Sequence, residues 1–268
     1  MTEAIRAVVF DWAGTMIDFG SCAPVTAMQH AFAQHQIEVS AELVRAHMGK
    51  AKRDHVEAIL TAPETLVAWS AIHGTHPGRA DGDAIYTALE PLMAQAAGAH
   101  TQLIPGAAAM AAQLHAQGIK IGSCTGYTRA MMADILPAAT AQGYAPDCVV
   151  CAGETSEGRP SPLMLWKNLV ALGVWPAHCC VKVDDAEVGM EEGRNAGCWA
   201  VGVSASGNAV GLDYEAYHAL PEARREARIA SASASLKAAG AHYVIESIAD
   251  LAPIVADINA RLARNDKP

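Results

Sequence analysis

Aromatic side chains are scarce in this chain of 268 residues: Phe, Trp and Tyr make up 5% of it, so a core has to come mainly from aliphatic and small side chains packed closely between helices. Positive charge is scarce as well. With 19 Lys and Arg against 28 Asp and Glu, the formal net charge is −9, which argues against nucleic acid and against an anionic membrane surface as general partners. An anionic small molecule would then need a local positive site. No run approaches the roughly 18 apolar residues of a membrane helix, and Asp11 interrupts the start of the chain before any signal-peptide core can form, so a cytoplasmic protein is expected. Cysteine is not lacking, but it is odd in number at seven, and no complete metal set emerges. Cys148-Val-Val-Cys151 has the form Cys-x-x-Cys, yet in an extended strand its thiols face opposite sides, and no second pair or histidine cluster completes a zinc site. Cys148, Cys151, Cys179, Cys180 and Cys198 read as reduced thiols in or beside buried strands.

The 51% of hydrophobic residues that are present suffice for a substantial core. Strand-like runs at residues 5–11, 119–124, 148–151, 180–184, 199–203 and 242–245 alternate with helical patterns. That alternation predicts an α/β fold, a Rossmann-like, mostly parallel sheet covered on both faces. One gap breaks the rhythm. Between about residues 20 and 105 the pattern holds only helical segments, at 24–36, 40–48, 51–61, around 63–73 and 83–97. The expected organisation is a core domain of residues 1–20 and 105–268 and a helical cap of residues 21–104 inserted after the first strand, with linkers near Gly20 and Pro105-Gly106. Gly118 should end the helix before the second strand, and Ser247 with Asp250 makes a capping box that opens the last helix. The charged segment Pro221–Glu226 reads as a solvated helix face.

In an open α/β sheet, ligands bind beyond the carboxyl ends of the strands, so polar residues at those ends matter most. Four strand ends carry them. The run Ala7-Val8-Val9-Phe10 delivers Asp11 into a turn opened by Gly14, the second strand ends in Thr125-Gly126, and the third leads to Gly158-Arg159-Pro160. Val181-Lys182-Val183 runs into Asp184-Asp185, adjacent acids of the kind that hold Mg²⁺. Thr125 and glycine-adjacent amides suit phosphoryl oxygens, and Arg159 can neutralise a phosphoryl dianion.

In this order, the four groups match the motifs of the haloacid dehalogenase superfamily over essentially the whole chain. Phe10–Thr15, Met48-Gly49 with Lys52-Arg53-Asp54-His55-Val56, Thr125–Arg129 and Glu192–Gly197 further resemble the phosphonoacetaldehyde hydrolase, or phosphonatase, family. That resemblance implies Mg²⁺-dependent cleavage of a small phosphonate, with Asp11 as nucleophile and metal ligand. It also implies the Ala13 carbonyl and Asp185 as further ligands, Asp184 behind them, and Thr125, Gly126, Arg159 and Met48 around the substrate. Lys52 would form a Schiff base, and a homodimer is implied. Superfamily phosphatases place a second acid two residues after the nucleophile to protonate a departing alcohol. Ala13 stands there, and an imine-forming lysine removes the need for that proton. The threonine frequent after the acid pair is Ala186 here, and the cysteine of some members stands at Ser21, with Cys22 one residue later.

On a helix, Lys52 shares a face with His55 and Ile59, whereas Lys50 points elsewhere and reads as surface. His55 admits two readings, a proton shuttle beside a reacting aldehyde or a buried hydrogen-bonded ring. Lys52 must be neutral to attack. Nearby anions oppose that, while burial, Arg53 or Mg²⁺ favour it. Two other functions fit the same residues: a phosphatase or phosphomutase acting on a phosphate ester, and a non-catalytic phosphometabolite sensor.

Overall fold

The computed structural model describes residues 3–268. β1 (Ala7–Phe10) is followed by α1 (Cys22–Ala33), α2 (Ala41–Arg45), α3 (Lys52–Leu60), α4 (Pro63–His73) and α5 (Arg79–Ala99) before any second strand. Then come α6 (Ala107–Ala116), β2 (Lys120–Thr125), α7 (Ile135–Ala141), β3 (Cys148–Cys151), α8 (Leu163–Leu172), β4 (Cys180–Asp184), α9 (Glu187–Asn195) and β5 (Trp199–Val203). α10 (Tyr214–Ala219), α11 (Glu222–Ala238), β6 (Tyr243–Ile245) and α12 (Leu251–Ala263) complete the chain.

The six strands form one sheet in the order β3-β2-β1-β4-β5-β6, with every neighbouring pair parallel. Alternation within β1 sends Val8 and Phe10 to one face, in the core that includes Met110 and Leu114 of α6 and Val255 and Ile258 of α12. Ala7 and Val9 face Met164, Leu165 and Leu169 of α8 on the other. Both faces are covered, so strand residues of either parity are buried. The strand order reverses beside β1, which opens a crevice at the carboxyl ends of β1 and β4.

Chain segments on either side of the helical stretch run together. Ile104 N donates to Met16 O at 2.9 Å, and Asp18 N to Gln102 O at 3.3 Å, so the stretch leaves and re-enters the sheet region at one place. Within it, α1 packs chiefly on α5. Aliphatic residues do fill most of the core, but the few aromatics are concentrated there: Trp12, Trp199, Tyr144, Phe10 and Phe32 are its largest fully buried side chains. Cys148, expected inside, is half-buried. The segment expected to be helical over 40–48 stops at Arg45, because the chain turns at Gly49 with φ +85° to bring Lys50 against the sheet edge. Lys50 therefore precedes α3 instead of riding on it. The capping box of Ser247 and Asp250 opens a short 3-10 turn that continues into α12. Among the described residues, no helix is long and apolar enough to cross a membrane.

Candidate active site

Asp11 leaves β1 with its amide still in the sheet, donating to Val183 O at 2.9 Å, and its carboxylate stands at the crevice. Gly14 follows with φ +85°, and a β-carbon there would collide with the Asp185 carboxylate. Only glycine lets the turn after β1 approach the end of β4 so closely. Thr15 Oγ1 donates to Asp185 Oδ1 at 3.2 Å, and the Asn208 amide donates to Asp185 Oδ2 at 2.7 Å. Asp184 Oδ1 accepts the Ala186 amide at 3.0 Å, while its Oδ2 lies 3.2 Å from Arg159 Nη1 and 3.0 Å from Lys182 Nζ.

Arg159 is the hub of this network, with its side chain 1% exposed. Nη2 donates to Asp11 Oδ1 at 2.7 Å and to Cys124 O at 2.6 Å, and Nε donates to Glu192 Oε2 at 3.1 Å. Lys182 Nζ lies 3.2 Å from the same Glu192 oxygen. Lys182 and Glu192 stand in the segments that the sequence singles out, but neither has a role assigned there. The helices on both faces of the sheet bury Lys182, and Glu192 meets it from α9, the helix that follows β4.

Burial first, then the charge of Asp184, raises the Asp11 carboxyl to about 6, against the pull of Arg159 and Lys182. Asp185 is pushed well above the carboxylate range by burial, then by Asp11 and Asp184. Burial would raise Asp184 too, but Arg159 and Lys182 outweigh it and hold that acid below its ordinary value. The three acids present oxygens within 4.8 Å of one another, all buried. Two of them are thus not neutralised by the cations present, which is the electrostatic condition a hard divalent cation relieves, and their oxygen donors are the type Mg²⁺ prefers.

From the helical side, Lys52 opens α3 at 3% exposure, with Nζ 5.2 Å from the centre of the Tyr127 ring. Burial lowers its pKa to about 8, with Asp11 opposing and Arg159 assisting. Arg53 takes no part, since its exposed side chain pairs with Asp83 and lies over Tyr86. Thr125 Oγ1 accepts the Tyr127 amide at 3.1 Å, leaving its hydrogen for another acceptor. Gly126 lies under the Lys50 carbonyl, where a β-carbon would come within 2.6 Å.

Asp11, Ala13, Met48, Lys52, Thr125, Gly126, Arg159 and Asp185 line one cavity of ≈ 20 Å³ with Ser21, Pro24, Gly49, Tyr127 and Ala186. Asp184 lies just behind it. His55 does not join this lining: its ring is fully buried, and Nε2 donates to Val44 O at 2.7 Å. Burial, then Lys52, holds it well below the ordinary histidine pKa, so the ring is neutral. The hydrogen-bonded core histidine is the reading this placement fits. Tyr127, whose ring faces Lys52, carried no distinguishing sequence signal beyond its place after Thr125-Gly126.

The haloacid dehalogenase-like hydrolase family model matches residues 5–197, the first strand through the helix after the acid pair. A phosphonoacetaldehyde hydrolase of Paraburkholderia phytofirmans is 49% identical over 264 residues, covering 98% of this chain and 99% of that protein. The chain belongs to the phosphonoacetaldehyde hydrolase family of haloacid dehalogenase-like hydrolases. The protein of that name from Pseudomonas aeruginosa strain PAO1 is 42% identical over 98% of this chain and 96% of its own length. A solved structure of a phosphonoacetaldehyde hydrolase-like protein from Oleispira antarctica superposes with a TM-score of 0.98 at 43% identity, covering 100% of this chain and 97% of that one. This member of the family is therefore an enzyme, a hydrolase with the superfamily's α/β fold.

Proposed function

We propose that this enzyme hydrolyses the carbon–phosphorus bond of phosphonoacetaldehyde to acetaldehyde and phosphate, through an imine at Lys52 and an aspartyl phosphate at Asp11. The observation that carries this reading is a buried lysine, held near pKa 8, lining the same cavity as Asp11 and Ala13. Breaking a C–P bond leaves an electron pair on carbon, and a free carbanion is too basic to depart. The neutral Lys52 amine condenses with the aldehyde, releasing water and forming a protonated imine. As the C–P bond breaks, its electrons flow into that imine and give a neutral enamine, while an Asp11 oxygen bonds to phosphorus. No leaving oxygen needs a proton, so an alanine at position 13 costs nothing. Water then releases phosphate from Asp11, and the enamine, protonated on carbon, returns through the imine to acetaldehyde and free Lys52.

Arg159 and the Thr125 hydroxyl surround the phosphoryl oxygens in this reading, with Gly126 and Met48 completing the substrate contacts. Asp11, Asp185 and the Ala13 carbonyl would hold Mg²⁺, which when bound supplies positive charge to the transferring phosphoryl group. A cavity of ≈ 20 Å³ has room for about one water, which supports entry of the substrate by a lifting of the layer α1–α5 as a cap from the sheet edge. A homodimer, as the family implies, belongs to the same proposal, and light scattering tests it. For the chemistry, the protein is given phosphonoacetaldehyde and Mg²⁺, with borohydride in a parallel sample. Phosphate release and a reduced adduct on Lys52 are expected. Turnover of sugar phosphates with no adduct would overturn the reading.

A further inference from the structure

Arg45 is the last residue of α2, in the helical layer, yet its side chain is bound almost entirely outside that layer. Nη1 lies 2.8 Å from Gly20 O, 3.4 Å from Ser21 O, 3.2 Å from Asn208 O and 3.1 Å from Asn208 Oδ1. Nη2 lies 3.1 Å from Gly211 O. Asn208 returns the contact, its Nδ2 donating to Arg45 O at 3.0 Å. These are two different parts of the sheet region: the linker by which the chain enters the helical layer, and the loop after β5. The loop is built around the guanidinium. Gly211 has φ +66°, and a β-carbon there would lie 2.8 Å from Arg45 Nε.

The same loop touches the acids. The Asn208 amide is the group that donates to Asp185 Oδ2 at 2.7 Å, and Ser206 Oγ donates to Gly14 O at 2.7 Å. A continuous set of hydrogen bonds thus joins α2, the linker, the loop after β5 and the carboxylate of Asp185. If the helical layer lifted as a body, Arg45 would leave the Asn208 and Gly211 carbonyls, and Asn208 would lose both side-chain bonds that fix it.

We propose that Arg45 and Asn208 form a clasp that holds the helical layer shut and, through the Asn208 amide, sets the orientation of Asp185 for Mg²⁺. Arg45 is a positioning residue: it touches none of the metal ligands and is not among the residues that line the cavity. Closure and metal binding then reinforce each other, since each favours the arrangement in which Asn208 is held against Asp185. The guanidinium suits this duty because its planar fork reaches several carbonyls at once, and an ammonium does not.

This inference rests on the metal reading of Asp185, and the test separates the two. Mg²⁺ binding is measured by titration calorimetry on wild type, Arg45→Ala, Arg45→Lys and Asn208→Ala, alongside amide hydrogen exchange of residues 18–22 and 205–212 with and without Mg²⁺. Arg45→Ala and Asn208→Ala are expected to weaken Mg²⁺ binding by about tenfold or more, the size typical when a group behind a metal ligand is removed. Arg45→Lys should fall between them and wild type. Exchange in both segments should rise in the variants even without Mg²⁺. A merely structural arginine would lower the melting temperature and leave Mg²⁺ affinity unchanged, and that result overturns the clasp. If Arg45→Ala does not fold, Arg45→Lys and Asn208→Ala decide by the same criterion. Wild-type protein that binds no Mg²⁺ would instead overturn the metal reading, and exchange unchanged in the variants would overturn the closing role.

Discussion

The floor and the roof of the cavity each bury a lysine, and the two are driven in opposite directions. On the floor, Lys182 in β4 is fully buried between Asp184 and Glu192; burial and Arg159 disfavour its charge, but the two carboxylates prevail and hold its pKa above the ordinary value. In the roof, Lys52 is 3% exposed with an aromatic ring beside it, and burial prevails, pulling it down to about 8. Desolvation is common to both. The difference is whether a carboxylate lies in contact, and it separates a permanent cation, which can hold Arg159 and its acids in place, from an amine that can lose its proton and attack a carbonyl.

The most severe way to break the comparison is chemical. Lys52→Arg keeps a cation in the roof but cannot form an imine, and Asp11→Asn removes the nucleophile; each should reduce phosphate release from phosphonoacetaldehyde by about 10⁴-fold or more in a coupled phosphate assay. Lys52→Arg should also abolish borohydride trapping, whereas Asp11→Asn should leave trapping in place. A trapped adduct in Lys52→Arg would show that the roof lysine is not the imine former.

Stability separates the two lysines by sign. Lys182→Met leaves Glu192 and Asp184 short of a buried partner and should destabilise the fold by about 3–5 kcal/mol in denaturant titration. Lys52→Met removes a desolvated charge with no contacting carboxylate and should be neutral or stabilising at pH 7, by up to about 3 kcal/mol. Equal losses in the two variants would mean that Lys52 is paired after all.

A pH series sharpens the same point. Because the neutral amine attacks, the rate of borohydride trapping should rise about tenfold per pH unit up to near pH 8 and then level off. For stability the sign is also set. Between about pH 8 and the ordinary lysine value of 10.5 the unfolded chain holds more protons on Lys52 than the folded one, so this lysine makes stability rise with pH across that window, and Lys52→Met should lose that part of the slope. The smallest effect belongs to Lys50, which is half-buried and lines no part of the cavity: Lys50→Ala should change turnover and trapping by less than about twofold.

Much of the fold was legible because its signals are local. Apolar runs of strand length, each closed by a turn residue, mark all six strands, and the absence of such runs between residues 20 and 105 marks the helical stretch. Asp11, Thr125, Arg159 and Asp185 were legible because a parallel sheet brings successive strand ends to one edge, so sequence order becomes spatial proximity. The role of Lys182 was not legible, because in a sheet covered on both faces either parity is interior and the carboxylate that meets it comes from α9. Which of its two readings His55 follows was not legible either: it shares a helix face with Lys52, but its Nε2 is turned to Val44 O and the ring lies outside the cavity lining.

The sequence by itself determined the class of fold, the strand ends that carry chemistry and the missing acid at Ala13, because these depend on residue type and short-range periodicity. Tertiary structure alone decided the charge of each lysine, the hub at Arg159 and the bond between Arg45 and Asn208, 163 positions apart in the chain. Those depend on desolvation and on which carboxylate or carbonyl arrives within about 3 Å, and that is a property of packed surfaces that no stretch of neighbouring residues contains.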